Sequence, residues 1–382
     1  MAYVSYTGLA APDDVISKIA DYVTSQGYTI DKPLSDDLNI YDQSSVDGKV
    51  FAFKDVSNTY TVVLRSANGN SIFGVTNEAV MDTTAIVSDT HYEGIGMTVG
   101  ESFSSSVRWY NQDKAPHLLK SNVACGVFMP VPTSLKDGTP TYTLYCNRVE
   151  SPSDTLIFSI VKENDSYYQT AHLVVGILDK YGEWTGGIYF SGSANQDMQK
   201  TSYACFEHDK SADSVILPVL SSGEKSNTFL RINIDEAPKA TRGTILWASS
   251  GTDNMTGKQL SSPIRVENKG NGEIPHYGYL QSQDRLDWGK NINTLNCITI
   301  DMPIYLAVCV DPDVLQNYAA VGTVSGVSFV SMLNLQTGFT YNRAYPDSAK
   351  LDQVFSVGKR RGAYGYDGIA INQEDVSSGT TS

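Results

Sequence analysis

The side chains that most often carry out chemistry are few and scattered in this sequence. None of its five histidines stands in an H-x-x-x-H or H-E-x-x-H arrangement, the spacing that would place two ligands of a metal ion side by side. They are His91, His117, His172, His208 and His276. The sequence therefore predicts no metal site, and we expect His172, on the alternating run YYQTAHLVVG, to be half-buried and hydrogen-bonded.

The cysteines are equally dispersed. Five are present, an odd number with no C-x-x-C pair, so neither a disulfide framework nor a zinc site is predicted. Most lie in apolar, strand-like runs such as TYTLYCNRV, where a free thiol behaves as a small hydrophobic group. We expect buried, unreactive thiols at Cys125, Cys146, Cys205, Cys297 and Cys309.

Sequence motifs of common catalytic and nucleotide-binding sites are missing. There is no G-x-S-x-G, no Walker loop and no G-x-G-x-x-G that opens a helix, and VDPDVLQ, with Asp311 and Asp313, lacks the remaining ligands of a calcium loop. Paired carboxylates for glycoside hydrolysis converge in space rather than in sequence, so that alternative stays open. The basic cluster KRR at 359–361 is interpreted as a solvated loop, with an acidic subunit or a phosphate as the alternative contact. The sequence predicts a protein that is not an enzyme and that holds no cofactor.

Net charge and hydropathy argue against two kinds of partner, nucleic acids and membranes. Lys and Arg total 28 against 42 Asp and Glu, which gives a net charge of -14 that repels phosphate backbones, so no sequence-specific nucleic-acid binding is expected. No segment approaches the roughly 20 apolar residues that span a bilayer, and the N-terminus has no basic region followed by an apolar run. We expect a protein made in the cytoplasm, without membrane insertion.

One clear helix is predicted, at 12–26, PDDVISKIADYVTSQ. Pro12 suits the first turn, Asp13 and Asp14 lie beside the positive end of the helix dipole, and Gly27 ends the helix. Apolar side chains share one face: Val15, Ile19, Tyr22 and Val23.

That apolar face needs a cover. A helix of about four turns is marginal alone in water, so the stripe must dock on a sheet or on a neighbouring subunit. We expect residues 1–30 to form a partner-docking segment, and removal of residues 1–27 to leave a folded β body.

Beyond the helix, short runs rich in Val, Ile, Thr, Tyr and Phe alternate with turn clusters. Residues 49–75 form a predicted meander with turns at D-V-S-N and A-N-G-N, and 139–192 form four strands separated by S-P-S-D, E-N-D-S and D-K-Y-G. GMTVGESFSSS, at 96–106, is interpreted as a turn into a strand SSVRWY. The predicted fold is mainly β, a sandwich or barrel of antiparallel meanders with a short N-terminal α-helix.

Composition suggests approximate domain boundaries along the chain. We expect a β-rich domain at 31–192, a second β-rich domain with long loops at 193–370, and a flexible tail at 371–382, where the residues are polar and small. Within the second domain, residues 193–214 are expected to form a long exposed excursion.

The segment GILDKYGEWTGGIYFSGS, at 176–193, is predicted to be a hairpin. Gly182 takes the positive φ of the turn, Trp184 caps the opening of the strand, and the two glycines at 186–187 mark a bulge or a close backbone approach. The alternative is a sugar-stacking platform formed by Tyr181 and Trp184.

Three blocks of the sequence resemble a known group of proteins. They are SSVRWYNQDKAPH, YYQTAHLVVGILDKYGEWTGGIYFSGS, and the stretch from DMPIYLAVCV through VGTVSGVSFVSMLNLQTGFTY to RGAYGYDGIAINQ. The chain is similar to tailed-bacteriophage virion structural proteins of the tail or baseplate, which share an N-terminal helix and a G-x-L-x-K-x-G-x-W-x-G-G hairpin. That hairpin stands here as Gly176, Leu178, Lys180, Gly182, Trp184, Gly186 and Gly187.

The resemblance implies a structural role in the virion tail, reached by assembly in the host cytoplasm. The expected partners are other tail or baseplate proteins and further copies of this chain, in a homo-oligomeric trimer or hexamer. The expected contact residues are Val15, Ile19 and Tyr22 on the helix and Tyr181 and Trp184 on the hairpin. The alternatives are a receptor-binding protein for host adhesion, a polysaccharide depolymerase, and a capsid decoration or neck protein.

Overall fold

Strands predominate in the structure of this chain, which is a computed structural model. The described residues are 3–38, 45–69, 93–109, 112, 123–135, 138–150, 152–164, 170–183, 188–194, 205–209, 214–216, 227–233, 242–248, 265–267, 302–309, 318–331, 340–342, 351–356 and 367–373. Within them one helix lies near the N-terminus and nearly all other regular structure is strand, so the predicted mainly β fold with a short N-terminal helix is confirmed.

The helix α1 spans Pro12–Ser25. The strands are, in chain order, β1 (Tyr3–Leu9), β2 (Ile30–Leu38), β3 (Ser45–Lys54), β4 (Thr61–Asn68), β5 (Glu93–Gly100), β6 (Val123–Pro130), β7 (Tyr142–Val149), β8 (Thr155–Lys162), β9 (Thr170–Ile177), β10 (Asp179–Lys180), β11 (Ile188–Ala194), β12 (Cys205–Asp209), β13 (Ser214–Ile216), β14 (Asn227–Asn233), β15 (Arg242–Ala248), β16 (Arg265–Glu267), β17 (Met302–Cys309), β18 (Tyr318–Ser331), β19 (Thr340–Asn342), β20 (Leu351–Ser356) and β21 (Asp367–Gln373).

These strands form three sheets, and the described pairings are antiparallel. Sheet A has the order β1-β7-β8-β9-β11-β14-β15-β16, and sheet B has the order β13-β12-β6-β5-β4-β3-β2. Sheet C has the order β10-β18-β21-β20-β19, with β17 also paired to β18. The middle of sheet A, β7-β8-β9-β11, is the four-stranded meander that the sequence predicts.

The predicted hairpin at D-V-S-N joins β3 to β4. Asn58 adopts a φ of 56°, and the carboxylate of Asp55 accepts hydrogen bonds from the backbone N–H of Ser57 at 3.0 Å and of Tyr60 at 2.6 Å. The side chain of Asp55 thus stabilises the turn in the manner typical of Asp in tight loops. The strand expected after A-N-G-N, at 71–75, lies outside the described residues.

The interpretation of GMTVG as a turn is wrong, because residues 96–100 belong to β5 and the predicted strand SSVRW lies in turns. The glycine in this strand makes room for an aromatic ring. A Cβ atom on Gly96 would stand 2.4 Å from Cη2 of Trp109. The indole ring of Trp109 therefore packs directly against the backbone of Gly96, where a larger residue would clash.

The main core lies between sheets A and B, with α1 inserted between them. The helix contacts β3, β4 and β5 on one side and β1 and β7 on the other, whereas β6 contacts β9 and β11 directly. Val15, Ile19 and Tyr22 have exposed fractions of 0%, and the Tyr22 ring meets Phe158 of β8 edge to face at 6.3 Å. The helix therefore fills the gap between the sheets at the end of the sandwich that carries β1 and β2.

This placement corrects the expectation that residues 1–30 form a partner-docking segment. The sequence shows that the apolar stripe needs a cover, and the cover is supplied by both sheets of the same chain. Since β1 is also a strand of sheet A, removal of residues 1–27 takes away part of the core. The expectation that a folded β body survives this deletion is therefore abandoned.

Two expected boundaries also move. The boundary between residues 192 and 193 falls inside β11, and β12–β16 after it extend sheets A and B, whereas β17–β21 form sheet C together with β10. The segment predicted as an exposed excursion contains β12, which pairs with β6. At the C-terminus, residues 371–373 complete β21, so the predicted tail begins later than 371, and the remainder of that tail lies outside the described residues.

A substitution in the helix tests its burial. We expect Ile19→Ala to lower the free energy of unfolding by about 2–5 kcal/mol, because it removes buried methyl groups and leaves a cavity between the sheets. The matched control is Asp21→Ala on the exposed face, where the ion pair with Lys18 is worth about 1 kcal/mol or less. Chemical denaturation of both variants measures the difference, and a similarly small loss for both would contradict the placement of α1.

Candidate functional site

A group of charged and aromatic side chains gathers where α1 ends, β7 ends and β8 begins. We call Tyr28, Arg148 and Asp154 the Asp154 cluster. The Tyr28 hydroxyl donates a hydrogen bond to Oδ2 of Asp154, and Nε of Arg148 donates to Oδ1 at 2.8 Å. Nη1 of Arg148 donates to the backbone carbonyl of Gln26 at 3.1 Å and lies 3.1 Å from a carboxylate oxygen of Glu150.

The position of Arg148 in the cluster follows from its place on β7. The strand alternation of β7 puts Arg148 on the same face as Leu144 and Cys146, which is the face turned towards α1. A cation there meets the last carbonyls of the helix, where the helix dipole favours positive charge. The guanidinium carbon also lies 4.7 Å from the centre of the Tyr28 ring, within range of a cation–π contact.

The protonation states follow from burial and from these contacts. Burial, and then the charge and hydrogen bond of Asp154, raise the pKa of Tyr28 far above its ordinary value, so the phenol remains a neutral donor. Burial opposes the charge of Arg148, but the hydrogen bond and charge of Asp154 outweigh it and raise the pKa of the guanidinium. Neither group exchanges a proton near neutral pH, so the cluster binds elements together rather than carrying protons.

A small cavity adjoins the Asp154 cluster. Its volume is about 20 Å³, enough for about one water molecule. Two carboxylates line it, but Asp154 is bonded by Arg148 and Tyr28, and Asp55 accepts the hydrogen bonds of its own turn. This cavity therefore offers no pair of uncommitted carboxylates of the kind that glycoside hydrolysis requires. Its lining comprises Tyr28, Phe53, Asp55, Val56, Val62, Asp154, Leu156, Val175, Gly176, Ile177 and Ile188.

A second charged pair lies on sheet B. Nε of Arg65 is 2.7 Å from Oδ2 of Asp37, and the Arg65 residue is wholly buried. Gly48, with a φ of 131°, leaves room for the Arg65 side chain because it has no Cβ. A Cβ there would lie 3.3 Å from Nη2 of Arg65 and 2.1 Å from the carbonyl oxygen of Ser66. The pair joins β4 to the edge strand β2.

Polar contacts also join α1 and the loops to the sheets. The hydroxyl of Ser66 on β4 donates to a carboxylate oxygen of Asp13 in the first turn of α1. Asp31 accepts hydrogen bonds from the backbone N–H of Phe103 and from the hydroxyl of Thr61, each at 2.9 Å. Burial works against ionisation of Asp31, but these hydrogen bonds and the nearby charge of Lys54 lower its pKa.

Glu163 joins the edge strand β1 to the rest of sheet A through hydrogen bonds. Its carboxylate accepts hydrogen bonds from the backbone N–H of Gly8 at 2.7 Å and from the hydroxyls of Thr141 and Thr143 at 3.0 and 3.2 Å. The backbone hydrogen bond from Gly8 is the main reason that the pKa of Glu163 is lowered. Its charge is therefore used to hold the edge strand on sheet A.

The residues predicted as contacts are not brought together. Val15, Ile19 and Tyr22 lie in the core, whereas Tyr181 lies on the chain between β9 and β11 with 45% of its surface exposed. Gly182 has a φ of 86°, as the hairpin prediction requires. Trp184 and the two glycines at 186–187 lie outside the described residues.

Sequence reasoning missed the Asp154 cluster. Its only signal is the run of charged residues in N-R-V-E-S-P-S-D, and its third member, Tyr28, lies 126 positions away in the chain. The expectation of buried thiols is met at Cys146, the burial of the other four cysteines lying outside the described residues, and the expectation for His172 is met in part. Cys146 is buried, and burial raises the pKa of its thiol, while Nδ1 of His172 lies 2.9 Å from the Ser159 hydroxyl, although His172 is fully rather than half buried.

Among the described residues, no group of three or more His, Cys, Asp or Glu side chains is arranged to hold a metal ion. The same part of the chain contains no helix with the length and apolar character needed to cross a bilayer.

No protein-family model matches this sequence, and no curated protein sequence matches it.

The Asp154 cluster can be tested by removing one hydroxyl. We expect Tyr28→Phe to lower the free energy of unfolding by about 1.5–3 kcal/mol, because the partly buried carboxylate of Asp154 loses a hydrogen bond. Tyr181→Phe is the matched control, since its hydroxyl is on an exposed residue and surface changes are worth about 0.5 kcal/mol or less. Equal denaturation midpoints for the two variants would show that the bond to Asp154 does not hold the fold.

Proposed function

We propose that this chain is a non-enzymatic structural component of a bacteriophage tail or baseplate, which assembles as a homo-oligomer with other virion proteins as partners. The observation that carries the proposal is that buried and partly buried charges are paired within the fold. In the described part of the chain, Arg148 with Asp154 and Arg65 with Asp37 each join separate elements of the same fold. These groups serve mechanical integrity, which a component of an assembled particle needs.

The sheet edges favour contacts through faces and loops. The edge strand β2 carries Pro33 and Asp36, and its register with β3 shifts three times. Proline, charge and irregular register all disfavour addition of a further strand. With strand addition disfavoured at this edge, contacts between copies would be made through faces and loops, as in a closed symmetric oligomer.

The hairpin that carries the resemblance to tail proteins has a structural use. Leu178 is buried, β10 pairs with Thr323 and Gly322 of β18, and a Cβ on Gly322 would stand 2.8 Å from the carbonyl oxygen of Asp179. The hairpin is thereby anchored to sheet C. An anchored hairpin presents Tyr181 at a fixed position, as a contact residue between subunits requires.

Host adhesion is the second candidate function, and the exposure of Tyr181 favours it. A tyrosine combines an apolar ring face with a polar hydroxyl, so it can stack on a sugar ring or pack against another protein. Removal of the Tyr181 ring would impair assembly if the chain is structural and attachment to the host if it is an adhesion protein.

The proposed function is tested first on the purified chain. We expect sedimentation velocity and electron microscopy to show a trimer or hexamer, and we expect no release of sugar from host envelope polysaccharide. A monomer at all accessible concentrations would contradict the structural role, and release of sugar would favour a depolymerase instead.

Tyr181→Ala in the intact phage then separates assembly from adhesion. The structural role predicts fewer complete particles, whereas adhesion predicts complete particles that fail to adsorb. Val56→Ala, at another exposed side chain, is the matched control and is expected to change neither yield nor adsorption.

A further inference from the structure

An Asn-Gly sequence lies at the end of β4, and this dipeptide loses its side-chain amide more readily than other asparagine sequences do. It occurs twice in the chain, at Asn68-Gly69 and at 271–272, and the second copy lies outside the described residues. Glycine favours the reaction because it has no Cβ to keep its backbone nitrogen away from the amide carbon of the preceding asparagine. Among the described asparagines, Asn68 therefore has the most reactive successor.

The backbone conformation at this position requires the glycine. Asn68 pairs with Glu93 at the last described register position of β4 and β5, and Gly69 follows with a φ of 110°. Residues with a side chain rarely adopt such a φ, so glycine suits the point where the chain leaves the sheet. Asn68 and Gly69 are both half-buried, so the dipeptide is in contact with solvent.

Glu93 makes this position sensitive to added charge. The register places Asn68 and Glu93 directly opposite each other. Because side chains alternate along a strand, both lie on the face of sheet B that carries Leu64 and Met97. The Glu93 carboxylate is also close to Gly69, since a Cβ there would lie 3.6 Å from its Oε1. A second carboxylate at position 68 would face a like charge across the strand pair, which is destabilising.

Glu93 also holds the start of the link between β6 and β7. Its carboxylate accepts hydrogen bonds from the backbone N–H of Thr133 at 2.7 Å and from the Thr133 hydroxyl at 2.6 Å. Its backbone carbonyl accepts a hydrogen bond from the N–H of Val131 at 2.8 Å. Displacement of Glu93 would therefore loosen this link together with the end of β5.

We propose that Asn68 is a site of spontaneous deamidation that adds a carboxylate opposite Glu93. The backbone nitrogen of Gly69 attacks Cγ of Asn68, a C–N bond forms, and the side-chain amide leaves as ammonia with the proton that the Gly69 nitrogen gives up. Water then opens the five-membered imide at either of its two carbonyl carbons, which gives aspartate or isoaspartate.

Both products weaken the same contacts. Each carries a new negative charge beside Glu93, and isoaspartate also lengthens the main chain by one carbon atom at the end of β4. The modified chain is therefore less stable where β4, β5 and the link from β6 to β7 meet. This inference does not depend on the proposed role in a phage tail.

Peptide mapping of aged protein tests the chemistry. The full-length chain is kept folded at neutral pH and digested at mildly acid pH, and mass spectrometry with electron-transfer fragmentation then measures aspartate and isoaspartate at position 68. The internal control is Asn58, which is exposed but is followed by the β-branched Thr59. We expect conversion at Asn68 to be several-fold faster than at Asn58. An Asn68 that stays intact in the folded chain, or that converts only after unfolding in urea, would overturn the site.

Asn68→Asp tests the effect on stability. We expect a lower denaturation midpoint than in the unmodified chain, and a smaller loss when Glu93→Gln is combined with it, because the glutamine removes the like charge and keeps an oxygen for Thr133. Glu93→Gln alone completes the double-mutant cycle. An unchanged midpoint for Asn68→Asp, or the same loss with and without Glu93→Gln, would overturn the placement of the new charge opposite Glu93.

Discussion

Burial of α1 between two sheets is the constraint on which the rest of the sandwich depends. The helix presents apolar side chains to sheet A and to sheet B at once, and seven of its residues are buried: Pro12, Val15, Ile16, Ile19, Ala20, Tyr22 and Val23. Each large apolar side chain contributes about 1.5–3 kcal/mol when removed from water. Without the helix, the inner faces of β3, β4 and β7 would lose the side chains that fill the space between them.

Charged contacts at the ends of α1 set its position. Asp13 meets Ser66 of sheet B near the first turn, and the carbonyl of Gln26 meets Arg148 of sheet A near the last. Each is a hydrogen bond between a charged side chain and a neutral group, a type worth about 1.5–3 kcal/mol, and each requires a defined distance and direction. These contacts therefore specify one docking geometry for the helix. They also commit the charged groups to the fold, which is the physical reason for proposing a structural role.

Local patterns of the sequence predict local structure well and long-range pairing poorly. The start of α1 is predicted from Pro12 and the following acids, and the four-stranded meander of sheet A from alternating apolar residues between turn clusters. The cover of α1 and the contact of Tyr28 with Asp154 could not be predicted, because both join distant parts of the chain. GMTVG was misassigned because Gly96 suggests a turn, whereas its bare backbone serves the packing of Trp109.

Native-state hydrogen exchange, read residue by residue, tests the integral role of α1 most directly. If the helix is part of the core, its central amides exchange only through global unfolding, with the same opening free energy as the amides of β4 and β8. The contradicting result is a separate opening of lower free energy for α1, with β4 and β8 still protected. That outcome would mean that the sheets hold together without the helix.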